Sequence, residues 1–264
     1  MTLCVTYGIS RNQAITLSDS LLTTTRKTED TATFLPSNQY IAHQTPRAVK
    51  IHIVSQSESL YAERYDVLCA IAGNVSLGLQ SLLHLDAYLK GIKYLWYDHI
   101  KLTIEDRIYP FWEMARDQSL EMSFALNDHK GRIHLFELKA DEGQFNFYEV
   151  EDDNGILLSV IGDRSSDVRA KIMSKVNLLS YQTDISESIH VASASILREE
   201  IEDSSSVFIG GVMQGAVLNR HLGEYLVVKG SGYYFRGAKL EDWDTLSYPI
   251  MDINTPRYEI TRRS

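Results

Sequence analysis

Leu3, Val5, Tyr7 and Ile9 fall on one parity, and Cys4, Thr6 and Gly8 on the other. With its β-branched content, this period-two pattern predicts a strand over residues 2–9. Ser10-Arg11-Asn12-Gln13 is a polar turn, and Ala14-Ile15-Thr16-Leu17 reads as the return strand, ending at Ser18-Asp19-Ser20. The chain therefore opens on a hairpin. Residues 24–45 are polar and threonine-rich, and read as an extended loop or a long hairpin arm. Strand patterns return at 49–54 and, after a polar excursion over 55–64, as a short buried strand at 67–72. Gly73-Asn74 punctuates it. Leu77, Leu79, Leu82, Leu83, Leu85, Tyr88 and Leu89 then recur mostly at helical spacing, and a second helical stretch is expected within 103–116, interrupted near Pro110.

Four strands follow in quick succession, at 122–126, 132–138, 145–150 and 156–161, separated by Asp128-His129-Lys130-Gly131, Asp141-Glu142-Gly143 and Asp152-Asp153-Asn154-Gly155. Such Asp/Asn/Gly clusters favour tight turns. Helices are predicted over 165–179 and 185–202, the second with Ile185, Ile189, Ala192, Ile196 and Leu197 on its apolar face. Residues 207–209 and 213–218 flank Gly210-Gly211 and read as a core hairpin, with short strands around 225–228 and 233–235. Strands, a helix pair, strands, a helix pair and strands again describe an α+β protein. Two antiparallel sheets between two helical layers would use every element. No repeat or low-complexity tract divides the chain, so residues 1–264 are read as one domain, with 221–264 a C-terminal extension of unassigned role.

Composition narrows the partners. Of 264 residues, 44% are hydrophobic and 23% charged, which is ordinary for a folded protein and argues against disorder. Lys and Arg number 26 against 35 Asp and Glu, giving a net charge of −9 and a pI near 5.4. That balance disfavours nucleic acid and anionic membrane surfaces as partners. Cys4 and Cys69 are the two cysteines, both in apolar runs. They predict reduced core thiols and a cytoplasmic protein rather than a disulfide framework. No apolar run approaches the roughly 18 residues of a membrane helix, and no basic stretch followed by an apolar one marks a signal peptide.

Phosphate-loop, dinucleotide and zinc-protease motifs are missing from the sequence. His52 and His134 lie in apolar strands, and His84, His99 and His190 in helical stretches without a partner at ligand spacing, so no metal or cofactor is expected. The informative residue is Thr2. Once Met1 is removed, as its small neighbour favours, a threonine at the chain start carries a hydroxyl nucleophile and a primary amine together. An α-amino group with a pKa of about 7.7–8.0 can serve as the base, and a threonine hydroxyl needs such a partner. The alternative is that Thr2 merely begins an edge strand.

The order strand, turn, strand and Ser18-Asp19-Ser20 resembles the opening of proteasome β-type subunits and their bacterial relatives, N-terminal-nucleophile (Ntn) hydrolases. In that family the first strand begins at the nucleophilic threonine, and the second ends in an aspartate, here Asp19. The stretch His43-Gln44-Thr45-Pro46-Arg47-Ala48-Val49-Lys50-Ile51 is similar to the family's lysine-bearing strand entry, and Lys50 takes the catalytic place. Leu68-Cys69-Ala70-Ile71-Ala72-Gly73-Asn74 resembles the strand whose final glycine lines the oxyanion hole, a role implied for Gly73. Ser159-Val160-Ile161-Gly162-Asp163 resembles the strand before the family's Gly-Ser-Gly turn, with Asp163 in place of the serine. Asp203-Ser204-Ser205-Ser206 matches the supporting Asp-x-x-Ser, implying support from Asp203 and Ser206. Ile209-Gly210-Gly211-Val212-Met213 is similar to a later strand entry. The resemblance spans about residues 2–220.

By this resemblance the chain is expected to have the four-layer αββα Ntn-hydrolase fold and to be a threonine-type peptidase acting through an acyl-enzyme. Thr2, Asp19 and Lys50 would be catalytic, and Leu22, Ala48, His52, Ile71 and Val75 would line a mostly apolar substrate pocket. The implied partners are a peptide substrate, further copies of the chain in a ring and an unfoldase of unknown identity. Two alternatives share the fold: a silent scaffold or binding subunit, and a small-molecule amide hydrolase. For ring contacts, Tyr94-Leu95-Trp96-Tyr97 is the candidate stretch.

Overall fold

A computed structural model describes residues 2–10, 13–19, 48–55, 63–90, 97–114, 120–128, 132–141, 144–181, 183–203, 209–210 and 213–219, with short strands beyond. The first sheet contains β1 (Leu3–Ser10), β2 (Gln13–Ser18), β8 (Leu158–Gly162), β9 (Gln214–Asn219) and β10 (Glu224–Tyr225) in the order β10-β9-β2-β1-β8. The second contains β3 (Ala48–Ser55), β4 (Glu63–Gly73), β5 (Leu120–Asn127), β6 (Ile133–Asp141), β7 (Gln144–Glu149) and β14 (Met251–Asp252) in the order β14-β3-β4-β5-β6-β7. All pairings are antiparallel except β14 on β3. The strands β11 (Val227–Lys229), β12 (Gly232–Phe235) and β13 (Ala238–Asp242) form a small sheet of their own.

Side-chain parity builds the layers. Leu3, Val5, Tyr7, Ile15, Leu17, Leu158 and Val160 leave the first sheet on one side and pack on α3 (Ser165–Leu179) and α4 (Ile185–Glu202). Val67, Cys69, Ile71, Met122, Phe124, Phe136 and Leu138 leave the second sheet toward α1 (Val75–Lys90) and α2 (Tyr97–Met114). Between the sheets the side chains are mostly small at one end, where Cys4, Ala70, Ala72 and Ile161 meet. Further along the strands Leu68, Ile133, Leu135, Val150 and Leu218 pack with Ala14, Ala125 and Ala216. This is the expected αββα sandwich.

Small polar residues in that inner layer satisfy one another across short gaps. Thr6 and Thr16 share a hydrogen bond of 2.9 Å, and Ser159 Oγ donates to Ser123 Oγ at 2.9 Å between the sheets. β8 is an edge strand, yet three of its outward backbone groups are occupied by side chains. Arg169 of α3 donates to the Leu158 carbonyl at 2.6 Å, the Val160 N–H donates to Glu137 at 3.2 Å, and the Gly162 N–H donates to Glu121 at 2.9 Å. Glu137 is 1% exposed, and Lys139 Nζ (2.8 Å) and the Tyr148 hydroxyl (2.5 Å) offset its charge.

Three sequence expectations change. α2 starts at Tyr97 and runs through Pro110 without interruption. Its Ile100, Ile104, Ile108 and Trp112 form a buried stripe at i, i+4 spacing, and this packing outweighs the hydrogen bond that proline forfeits. The strand expected at 67–72 is the longer β4. Ile209 and Gly210 form a bend rather than a strand, 207–208 lie outside the described residues, and β9 pairs with β2 and β10. The arm at 24–45 lies outside the described residues. Among those described, no helix is long and apolar enough to cross a membrane.

His190 of α4 reaches the fully buried Tyr7, its Nδ1 lying 2.6 Å from the hydroxyl, while its Nε2 is buried without a partner among the described residues. Burial pushes the His190 pKa down to about 4 from 6.5. The unfolded chain therefore binds this proton more readily than the folded one. The stability it supports is complete above about pH 6.5 and is lost as pH falls toward 4, on the order of 3 kcal/mol in all. In His190→Phe this contribution is absent, so denaturant titrations from pH 7 to 4 should show the stability difference between wild type and variant shifting by that amount in the variant's favour.

Candidate active site

Thr2 and Asp19 are both fully buried, at neighbouring strand ends of the opening hairpin. Asp19 leaves the end of β2, and its N–H donates to the Leu3 carbonyl at 3.2 Å. Among the described residues its carboxylate gathers three donors. Oδ1 accepts from the Thr2 hydroxyl and from the Leu3 N–H at 2.9 Å, and Oδ2 accepts from the Gly210 N–H at 3.0 Å. A buried carboxylate stays charged at low cost only with this kind of donor set. The direct bond from the Thr2 hydroxyl to Asp19 and the participation of Gly210 were not foreseen from the sequence.

The other side of Thr2 is held by a turn. Gly162 closes β8 at φ +97° opposite Leu3, and the Asp163 N–H donates to the Thr2 carbonyl at 2.9 Å. A Cβ on Gly162 would lie 1.8 Å from that same carbonyl oxygen and 3.2 Å from Ala72 Cβ. The end of β8 thus meets the end of β4 beside Thr2. Gly73, with φ +83°, follows Ala72 there and stands in register with Leu120. Arg164 at φ +57° then enters α3, its guanidinium 2.8 Å from Glu200 and 3.2 Å from Asp203. These carboxylates, Glu200 foremost, hold the Arg164 pKa above its ordinary value.

The remaining sequence candidates are placed as follows. Lys50 lies in β3 opposite Leu68 of β4 and next to Asp252 of β14, and its side chain lies outside the described residues. The same holds for Ala48, opposite Ala70, and His52, opposite Asp66. Leu22 and Ser206 lie outside the described residues altogether. Asp203 caps the end of α4 in its ion pair with Arg164. Ile71 is fully buried in the core under α1, where Gly78 allows close approach, on the face of β4 away from Ala70 and Ala72. Val75 opens α1, 8% exposed. The structure thus brings together Thr2, Asp19, Asp163 and the ends of β4 and β8. A cleft of about 570 Å³ lined by Arg132, Ile133, Ile156, Leu157 and Ile189 lies by Gly8, at the opposite end of β1. Cys69 is buried, which raises its thiol pKa far above the usual range and makes it unreactive. Among the described residues, no three His, Cys, Asp or Glu side chains converge as metal ligands.

Solved structures provide an independent comparison. The chain is similar to Anbu (ancestral beta-subunit) from Yersinia bercovieri, with a TM-score of 0.54 and 14% identity over 83% of this chain and 82% of that one. It is also similar to Anbu from Hyphomicrobium sp. strain MC1, with a TM-score of 0.51 and 13% identity over 85% and 84% of the two chains. A Gly-1 mutant of the latter gives 0.51 and 13% over 83% and 82%. The chain has the Ntn-hydrolase fold. No family model and no curated protein matches the sequence, so the Ntn-hydrolase assignment rests on the layers, the topology and these structures.

Gly162 is the position least tolerant of change in this turn. Gly162→Ala places a methyl group against the Thr2 backbone at a φ that L residues rarely adopt. It should cost about 3 kcal/mol or more, read as a lowered midpoint in chemical denaturation, whereas Gly8→Ala, whose Cβ meets ordinary contacts, should cost much less.

Proposed function

We propose that this chain is a threonine-type peptidase whose nucleophile is Thr2. The observation that carries the reading is the hydrogen bond from the Thr2 hydroxyl to Asp19 at the start of β1, with two positive-φ glycines, Gly73 and Gly162, ending strands close by. After removal of Met1, the freed α-amine takes the hydroxyl proton, directly or through a water, as Oγ attacks the substrate carbonyl. The oxyanion forms against the Gly73 N–H. The amine proton passes to the leaving amine as the peptide bond breaks, and water then hydrolyses the threonine ester, restoring the hydroxyl.

Lys50 supplies positive potential in this scheme. Its register partner Leu68 belongs to the layer between the sheets, the parity that a lysine directed toward Thr2 requires. Asp19 orients the hydroxyl and keeps the lysine charged. Leu22, Ala48, His52, Ile71 and Val75 are proposed to shape a mostly apolar pocket, so that hydrophobic peptide amides are the substrates. Further copies of this chain in a ring would seclude the site. The exposed Leu83, Leu102 and Met114 on α1 and α2 are consistent with a helical face that a neighbour covers.

A second reading, a silent scaffold subunit of the same fold, draws support from one feature. Asp163 replaces the serine of the family turn, and Asp203 is engaged by Arg164. The two readings separate experimentally. Intact mass of protein from its own host should show Met1 removed, and an electrophilic peptide probe should label Thr2. Thr2→Ala should abolish hydrolysis of hydrophobic peptide amides with the fold and assembly retained. Lys50→Ala should lower kcat about a hundredfold or more, since such electrostatic stabilisation is worth about 3 kcal/mol. Lys50→Arg should restore little, because a planar guanidinium does not replace a compact ammonium. A processed protein that neither cleaves nor labels is a scaffold. Light scattering should give a mass of several subunits, and a monomer at micromolar concentration would contradict the ring.

A further inference from the structure

We propose that Glu121 is a positioning residue for Thr2: its carboxylate reaches from the second sheet to the Gly162 N–H and fixes the turn from which the Thr2 carbonyl is held. The proposal rests on the peptidase reading. That reading divides its working groups between two sheets. Thr2 and Asp19 belong to the first, and Lys50 and Gly73 to the second. Backbone ladders fix distances within each sheet, but among the described residues no ladder joins the two, so the spacing between nucleophile and oxyanion donor is set by side chains.

Glu121 is placed to set it. It stands opposite Ala72 on β4, one residue before Gly73. It shares its strand parity with Ser123, which also hydrogen-bonds across the sheet gap. Its Oε2 accepts from the Gly162 N–H at 2.9 Å. Gly162 and Arg164 both have positive φ, and at Arg164, which bears a Cβ, this conformation persists only where its surroundings over-determine it. Three contacts do so: Glu121 on Gly162, the Thr2 carbonyl on the Asp163 N–H, and Glu200 and Asp203 on Arg164. Glu121 is the one among them that comes from the sheet carrying Gly73. Glu137 makes the same kind of bond to Val160, two residues further from Thr2, and serves as an internal comparison.

The test uses the full-length, processed protein with a hydrophobic peptide amide substrate, and backbone amide exchange over residues 158–165. Glu121→Leu removes the acceptor. It should lower kcat ten- to a hundredfold with KM little changed, the size expected from a misplacement of about 1 Å, and should speed exchange in this segment. Glu121→Gln keeps an acceptor oxygen and should restore most of kcat. Glu121→Asp keeps the charge but is one methylene too short, and should behave like the leucine variant. It decides the matter if Glu121→Leu fails to fold. Glu137→Gln should leave kcat within about twofold. Wild-type kcat in Glu121→Leu or Glu121→Asp overturns the proposal, as does a loss in Glu121→Gln as large as in Glu121→Leu. If wild-type Thr2 is not labelled by the electrophilic probe, the peptidase reading fails instead, and faster exchange in Glu121→Asp then reports separately that this carboxylate holds the turn.

Discussion

The Asp19 carboxylate is the contact on which the Thr2 end of the molecule depends. It is fully buried, and a buried charge is tolerated only when its oxygens find donors. The donors come from three places: the Thr2 side chain, the β1 backbone at Leu3 and the bend before β9 at Gly210. A single side chain therefore joins the start of the chain, the end of its first hairpin and a segment that arrives nearly two hundred positions later. Taking the carboxylate away would leave two backbone N–H groups and a hydroxyl buried without acceptors, each a penalty of about 1–3 kcal/mol.

The space between the sheets is graded to suit this arrangement. Cys4, Ala70 and Ala72 sit near Thr2, and Ile133 and Leu218 lie further along the strands. Small side chains let the strand ends of the two sheets approach, so that Gly162 touches both the Thr2 carbonyl and Ala72. Packing and chemistry are thus separated along the strands rather than across them.

Much of this was legible in the chain itself. The bounds of α3 and α4 follow from their spacing, because an amphipathic stripe and a polar start are local signals. Thr2 and Asp19 were named together through the resemblance to proteasome β-type subunits, and in the structure they close the two arms of one hairpin. Pro110 misled because its local cost is set against Ile104, Ile108 and Trp112, whose burial is a tertiary fact. Gly210 and Glu121 were not legible as members of the site. Glu121 looks like the polar half of an ordinary alternation, and its partner lies 41 positions away in the other sheet. The C-terminal strands carried weak patterns, and the parallel pairing of β14 with β3 has no local signature at all.

The edge of β8 has a consequence for how this protein behaves in a crowded solution. An exposed strand edge is a template on which a second chain can grow. Here the Leu158 carbonyl and the Val160 and Gly162 N–H groups are already committed to Arg169, Glu137 and Glu121. A foreign strand would have to displace two carboxylates and a guanidinium before it could form its first rung. Cross-β growth is thereby disfavoured along this flank, and partners arriving there must meet side chains rather than backbone.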